Sequence, residues 1–134
     1  NVIVDREQYG KEIGIIGDPG AQDNFVEYDL SVKDENISIL ELRYAAKTAR
    51  PGKILLDGNP VFENAVSATT GGWFPENQKW IIEGILELKS GEHVLRIESK
   101  PLMSHIDRIR LISVSNPKEA LASIEQIKRF TKYY

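Results

Sequence analysis

The fold class this sequence predicts is all-β, an antiparallel β-sandwich or jelly roll, and two observations predict it. Short β-rich segments recur with turn chemistry between them at intervals of roughly ten residues, and no helical periodicity separates one from the next. The length of 134 residues suits one domain with a core large enough to need no covalent staples. The expected organisation is a sandwich over 1–115 and a short C-terminal helix, as tail or linker, over 116–134.

Phe25-Val26-Glu27-Tyr28-Asp29-Leu30-Ser31-Val32 reads as a strand between the turn residues Gly17-Asp18-Pro19-Gly20 and the polar Lys33-Asp34-Glu35-Asn36. From Ile37 to Tyr44, Leu40, Leu42 and Tyr44 share one face and Glu41 and Arg43 the other, a period of two that fits a half-buried strand. Ile54-Leu55-Leu56 meets Asp57-Gly58-Asn59-Pro60; Asp-Gly signals a hairpin, and Pro60 confines the returning Val61-Phe62 strand to an edge or places itself at the strand's first residue. Trp80-Ile81-Ile82 and Ile85-Leu86-Glu87-Leu88 follow as strand segments, with Trp80 expected in the core. Lys89-Ser90-Gly91-Glu92 turns into His93–Glu98, and the last strand runs from Ile106 to Val114. In the tail, Asn116-Pro117 supplies a cap and a first helical position, and Leu121, Ile124 and Ile127 recur at helical spacing.

Composition excludes several functions. The chain has no cysteine, so thiolate metal sites, disulfides and cysteine nucleophiles are absent. Seventeen basic and 20 acidic residues give a formal net charge of -3, spread along the chain, which argues against a nucleic-acid or anionic-membrane partner. The start, Asn1-Val2-Ile3-Val4, has neither an initiator Met nor a basic leader and reads as part of a longer polypeptide. Gly-x-Ser-x-Gly and phosphate-loop patterns are missing, and only His93 and His105 are available as histidines, so an enzyme is not expected.

Two features point to chemistry. In Ser104-His105-Ile106-Asp107-Arg108-Ile109-Arg110-Leu111, strict alternation sets Asp107 on the same face as Ile109 and Leu111, and Asp5-Arg6-Glu7 sets two carboxylates on one side of a strand. Such acids either converge on a hard cation such as calcium or pair with arginine and cap turns; the residues alone leave both open. The second feature is Thr70-Gly71-Gly72-Trp73-Phe74-Pro75-Glu76-Asn77-Gln78. Trp73 and Phe74 fall in a Gly/Pro loop, where an aromatic ring offers a stacking platform for a pyranose and Asn77 a planar amide for its hydroxyls; otherwise Trp73 folds back as a lid on the core.

The ordered set Asp5-x-Glu7, Phe25-Val26-Glu27-Tyr28-Asp29, Leu42-Arg43-Tyr44-Ala45, Asp57-Gly58, Thr70-Gly71-Gly72-Trp73, Trp80, Leu88-Lys89-Ser90-Gly91-Glu92-His93 and Ile106-Asp107-Arg108-Ile109 resembles carbohydrate-binding modules of families 6 and 35, from about Val4 to Ser113. That resemblance implies a galactose-binding-domain-like jelly roll, a structural calcium held by Asp5, Glu7 and Asp107 with Asn24 as fourth contributor, and a sugar site using Trp73 and His105, with Phe74 and Asn77 beside them. A histidine at 105 where the family often has asparagine, and Asp18-Pro19-Gly20 where it often has an aromatic, are departures from its pattern; His105 would make binding pH-sensitive. The implied function is a noncatalytic module that targets a larger extracellular, periplasmic or cell-surface protein to a polysaccharide. The alternative is a structural or protein-interaction sandwich without a sugar site.

Overall fold

The structure is a computed structural model that describes residues 3–10, 14–17, 24–100 and 102–114. Two antiparallel sheets form a β-sandwich. The elements are β1 (Ile3–Asp5), β2 (Ile15–Gly17), β3 (Asn24–Val32), β4 (Asn36–Ala45), β5 (Gly52–Leu56), β6 (Asn59–Ala65), a 3-10 turn (Pro75–Asn77), β7 (Lys79–Leu88), β8 (Gly91–Ser99) and β9 (His105–Val114). One sheet has the order β1-β2-β9-β4-β7, the other β3-β8-β5-β6. The expected tail helix over 116–134 and the Asp18-Pro19-Gly20 turn lie outside the described residues.

Alternation builds the core. Leu40, Leu42 and Tyr44 of β4, Leu86 and Leu88 of β7 and Ile106 of β9 pack against Ile54 of β5 and Leu95 and Ile97 of β8, flanked by Val26, Tyr28 and Leu30 of β3 and Phe62 of β6. Apolar rows from two facing sheets interdigitate and remove each other from water. Pro60 sits in β6, which is an edge strand, where its missing N–H costs no ladder bond.

Three departures from strict alternation matter. β4 and β9 shift register between Arg43, opposite Arg108, and Tyr44, opposite Ile106, which leaves Asp107 as an unopposed bulge residue. Ile106, Ile109 and Leu111 therefore all face the core, where uniform alternation had set Ile106 opposite the other two. β7 is one strand rather than two segments, bulged at Glu83 because Ile82 opposes Glu41 and Gly84 opposes Leu40. Trp80 opposes Arg43 on the outer face, with the Arg110 guanidinium 4.0 Å from its ring centroid. It is not a core residue: that outer face also carries Glu41, 7% exposed in its side chain and paired with Arg110, and the same guanidinium stacks over the indole.

The β5–β6 hairpin is tied to β8 by a charged pair. Asp57 and Gly58 both have positive φ (51° and 83°), the conformation a two-residue turn of matching twist needs. Asp57 Oδ2 lies 2.6 Å from His93 Nδ1, His93 Nε2 lies 2.6 Å from the Lys89 carbonyl, and Val94 N–H donates to Asp57 Oδ1 at 2.8 Å. With acceptors at both ring nitrogens, the doubly protonated ring is favoured. The Asp57 hydrogen bond and then the Lys89 carbonyl push His93 above its ordinary value, while the His93 and Val94 hydrogen bonds hold Asp57 below its own. A raised histidine pKa means that the folded state keeps the proton longer than the unfolded one; the stabilisation is complete below the unfolded value and fades as pH rises through the folded one. The melting-temperature gap between wild type and His93→Gln is therefore expected to be widest below the unperturbed histidine value of about 6.5 and to shrink as pH rises above it. A gap that grows with pH in thermal melts would contradict this pairing.

Candidate functional site

Four segments converge at one end of the five-stranded sheet: the chain after β1, the β4–β5 connection, the β6–β7 loop and the start of β9. Register explains the meeting, since Ala45 at the end of β4 opposes His105 at the start of β9, and Tyr44 opposes Lys79 at the start of β7. Tyr9, Arg50, Trp73, Phe74 and His105 form an aromatic rim there. The Tyr9 and Phe74 rings stack at 5.4 Å between centroids, Tyr9 and His105 meet at 4.7 Å, and Trp73 and His105 at 5.0 Å. His105 Nδ1 lies 3.0 Å from the Trp73 carbonyl, so Nδ1 carries the proton and donates.

The loop that presents these rings is braced from within. Ala46 N–H donates to Thr70 Oγ1 at 2.9 Å, Thr70 N–H to the Ala46 carbonyl at 2.7 Å, and Ala68 N–H to the Tyr44 hydroxyl at 3.1 Å. Tyr44 is fully buried, and burial pushes its hydroxyl up to about 12, which keeps it neutral and hydrogen-bonding at any physiological pH. Asn77 Oδ1 accepts the Phe74 N–H at 3.2 Å, the return bond of a cap on the 3-10 turn. Asn77 thus lies beside the rim as expected, with its carbonyl oxygen engaged in shaping the loop.

Sequence reasoning brought Trp73, Phe74, His105 and Asn77 to one place, and the structure does so too. Their exposures differ from expectation. Trp73 is half-buried, packs on the core and carries the Arg50 guanidinium 3.9 Å from its ring centroid; Arg50 also donates to the Met103 carbonyl at 2.9 Å. Phe74, at 44% exposure, is the ring that faces water. Tyr9 was missed, because nothing local marks it; it joins the rim only through tertiary approach.

The acids expected to hold calcium are placed differently. Asp5 ends β1, and its carboxylate accepts the N–H groups of Glu7 (2.8 Å), Gln8 (3.0 Å) and Tyr9 (3.4 Å). Those bonds, Gln8 and Glu7 foremost, hold it below the usual carboxylate range. Glu7 is exposed and beyond the strand, so the two acids do not share a strand face. Asp107, 6% exposed in its side chain, faces Arg108 at 3.1 Å and Arg43 at 3.6 Å. Asn24 is buried at the first position of β3, in the other sheet. β2 lies between β1 and β9, which separates the Asp5 and Asp107 backbones by about two strand spacings, ~10 Å, with Ile15 buried between. Among the described residues no group of three or more histidines and acids gathers as a metal-binding set. In this arrangement Asp5 is held by backbone amides and Asp107 by two guanidinium groups.

Sandwich and rim together define a β-sandwich jelly roll with an aromatic end. Its fold is that of family 35 carbohydrate-binding modules. It is similar to the family 35 module from Clostridium thermocellum (TM-score 0.74, 20% identity, 85% of this chain and 89% of that one). A family 35 module solved in complex with a glucuronic-acid-containing disaccharide matches with TM-score 0.66 and 20% identity over 84% of each chain. The Podospora anserina GH26-CBM35 β-(1,4)-mannanase matches with TM-score 0.65 and 17% identity over 86% of this chain and 25% of that one. No family model and no curated protein matches the chain by sequence.

Proposed function

We propose that this chain is a noncatalytic carbohydrate-binding module whose sugar site is the rim of Tyr9, Trp73, Phe74 and His105. Its role is to hold a larger extracellular or cell-surface protein at a polysaccharide by raising local concentration. The observation that carries this reading is the exposed Phe74 ring stacked on Tyr9 beside His105, an apolar platform flanked by hydrogen-bonding groups, which is what a pyranose face and its hydroxyl edge require. The fold shared with family 35 modules, one of them seen with a disaccharide, supports it. The noncatalytic reading is supported by the acids themselves. Asp5 is bound by backbone amides, Asp107 by two guanidinium groups and Glu41 by Arg110, an arrangement that leaves these three unsuited to proton transfer. Titration calorimetry against a panel of neutral and uronic-acid oligosaccharides tests the proposal; heat with at least one glycan supports it, and no heat with any overturns it.

One observation favours the alternative of a structural or protein-interaction domain: the Arg50 guanidinium already lies over the Trp73 ring. That reading expects the flat calorimetric response. Structural calcium stands as a separate expectation with its own test. If Asp5, Glu7, Asp107 and Asn24 hold that ion, an excess of chelator is expected to lower the melting temperature and added calcium to restore it. An unchanged melting curve in chelator would count against the site.

A further inference from the structure

We propose that Glu83 is a positioning residue for the aromatic rim, acting from a bulge inside β7 through the backbone of Val66. The inference rests on the sugar-site reading for its functional meaning, and its test does not. Glu83 is the residue of β7 without a partner on β4; a bulge of this kind re-aims a side chain out of the alternation. The re-aimed carboxyl group reaches the start of the β6–β7 loop, where the Val66 N–H meets Oε1 at 3.1 Å and Oε2 at 3.2 Å. Val66 is fully buried and has φ 53°. A β-branched residue in that conformation is strained and persists only where its surroundings hold it.

Glu83 is well placed to be that hold. Partial burial raises its pKa, opposed by the Val66 hydrogen bond, so the fold keeps a partly desolvated carboxyl group at this position. The titratable group facing it from β4 is Tyr44, which is neutral and itself accepts the Ala68 N–H. Val66, Ala68 and Thr70 are thus anchored in succession by Glu83, Tyr44 and the Ala46 backbone, and Trp73 and Phe74 follow. The first anchor fixes the direction in which the loop leaves β6, and every later residue inherits it.

The test compares Glu83→Leu with Glu83→Gln, each in a Trp80→Phe background, where Trp73 is the remaining indole of the two in the chain. Amide exchange at Val66 and Trp73 emission are read without any glycan. Glu83→Gln keeps a carbonyl acceptor and is expected to preserve both signals. Glu83→Leu is expected to speed Val66 exchange by about tenfold or more, as loss of the hydrogen bond that holds this amide does, and to shift Trp73 emission. If it leaves both signals unchanged, the proposal fails. Should Glu83→Leu not fold, the parent protein decides: a Val66 amide exchanging as fast as an open loop overturns the proposal, and one protected like the neighbouring strands upholds it. A glycan that binds Glu83→Gln normally and Glu83→Leu weakly links the anchor to the site, whereas no glycan binding in any form defeats the sugar-site reading and leaves the anchoring result standing.

Discussion

Replacing Phe74 with alanine is expected to weaken glycan binding by about 1–2 kcal/mol, roughly five- to thirtyfold in Kd, while leaving the melting temperature within error. The ring is 44% exposed and touches Tyr9 rather than the core, so truncation removes a platform and opens no cavity. Trp73→Ala behaves differently. That indole packs on the core and meets both His105 and Arg50, so its loss is expected to reduce binding and also stability, by about 2 kcal/mol, less than a fully buried tryptophan would cost. Calorimetry paired with thermal melts separates the two. Phe74→Ala that destabilises the fold as much as Trp73→Ala would mean that the ring is buried in solution, and the rim would lose its platform. Tyr9→Phe is expected to bind normally if Tyr9 serves only as the back of the stack.

The strands with strong alternation were legible because burial on one face alone dictates the pattern. β3, β4, the Asp57-Gly58 hairpin and β8 follow from it directly. β2 was not legible. It is three residues long and its pairing to β9 is a single residue pair, Ile16 with Ile106, too short to show a period. Its presence has a consequence for the site, because it stands between β1 and β9 and sets how far apart the Asp5 and Asp107 backbones lie. Bulges were hidden for a related reason: a one-residue slip reverses every face beyond it, so Asp107 and Glu83 fell on faces that uniform alternation could not assign. Trp80 was placed in the core on its apolar character, whereas a strand with Ile81 inward sets its neighbour outward, where Arg110 covers it. At the rim, Trp73, Phe74 and His105 announced themselves as aromatic groups in a Gly/Pro loop and at a strand start. Tyr9 carries no such local mark.

Gly52→Ala is expected to destabilise the protein more than any surface change and tests how tightly the four-stranded sheet is drawn together. Gly52 opens β5, with Ala65 of β6 on one side and Ser99 of β8 on the other. A Cβ built there would lie 2.0 Å from the Glu98 carbonyl oxygen and 2.6 Å from Ser99 Oγ. A serine hydroxyl can rotate away. The carbonyl of β8 cannot, because β8 pairs with β3 along its whole length, so relief requires β5 to move off its neighbour. Forced overpacking of this kind costs about 3 kcal/mol, or a melting temperature lower by roughly 10 °C for a chain of this size. Gly58→Ala is the control. Nothing lies within 4 Å of a Cβ at Gly58, and its cost is only that of φ 83°, about 1 kcal/mol. If Gly52→Ala melts no lower than Gly58→Ala, the close approach of β5 to β8 is wrong, and with it the packing of Ile54 against Ile97 that closes this side of the core.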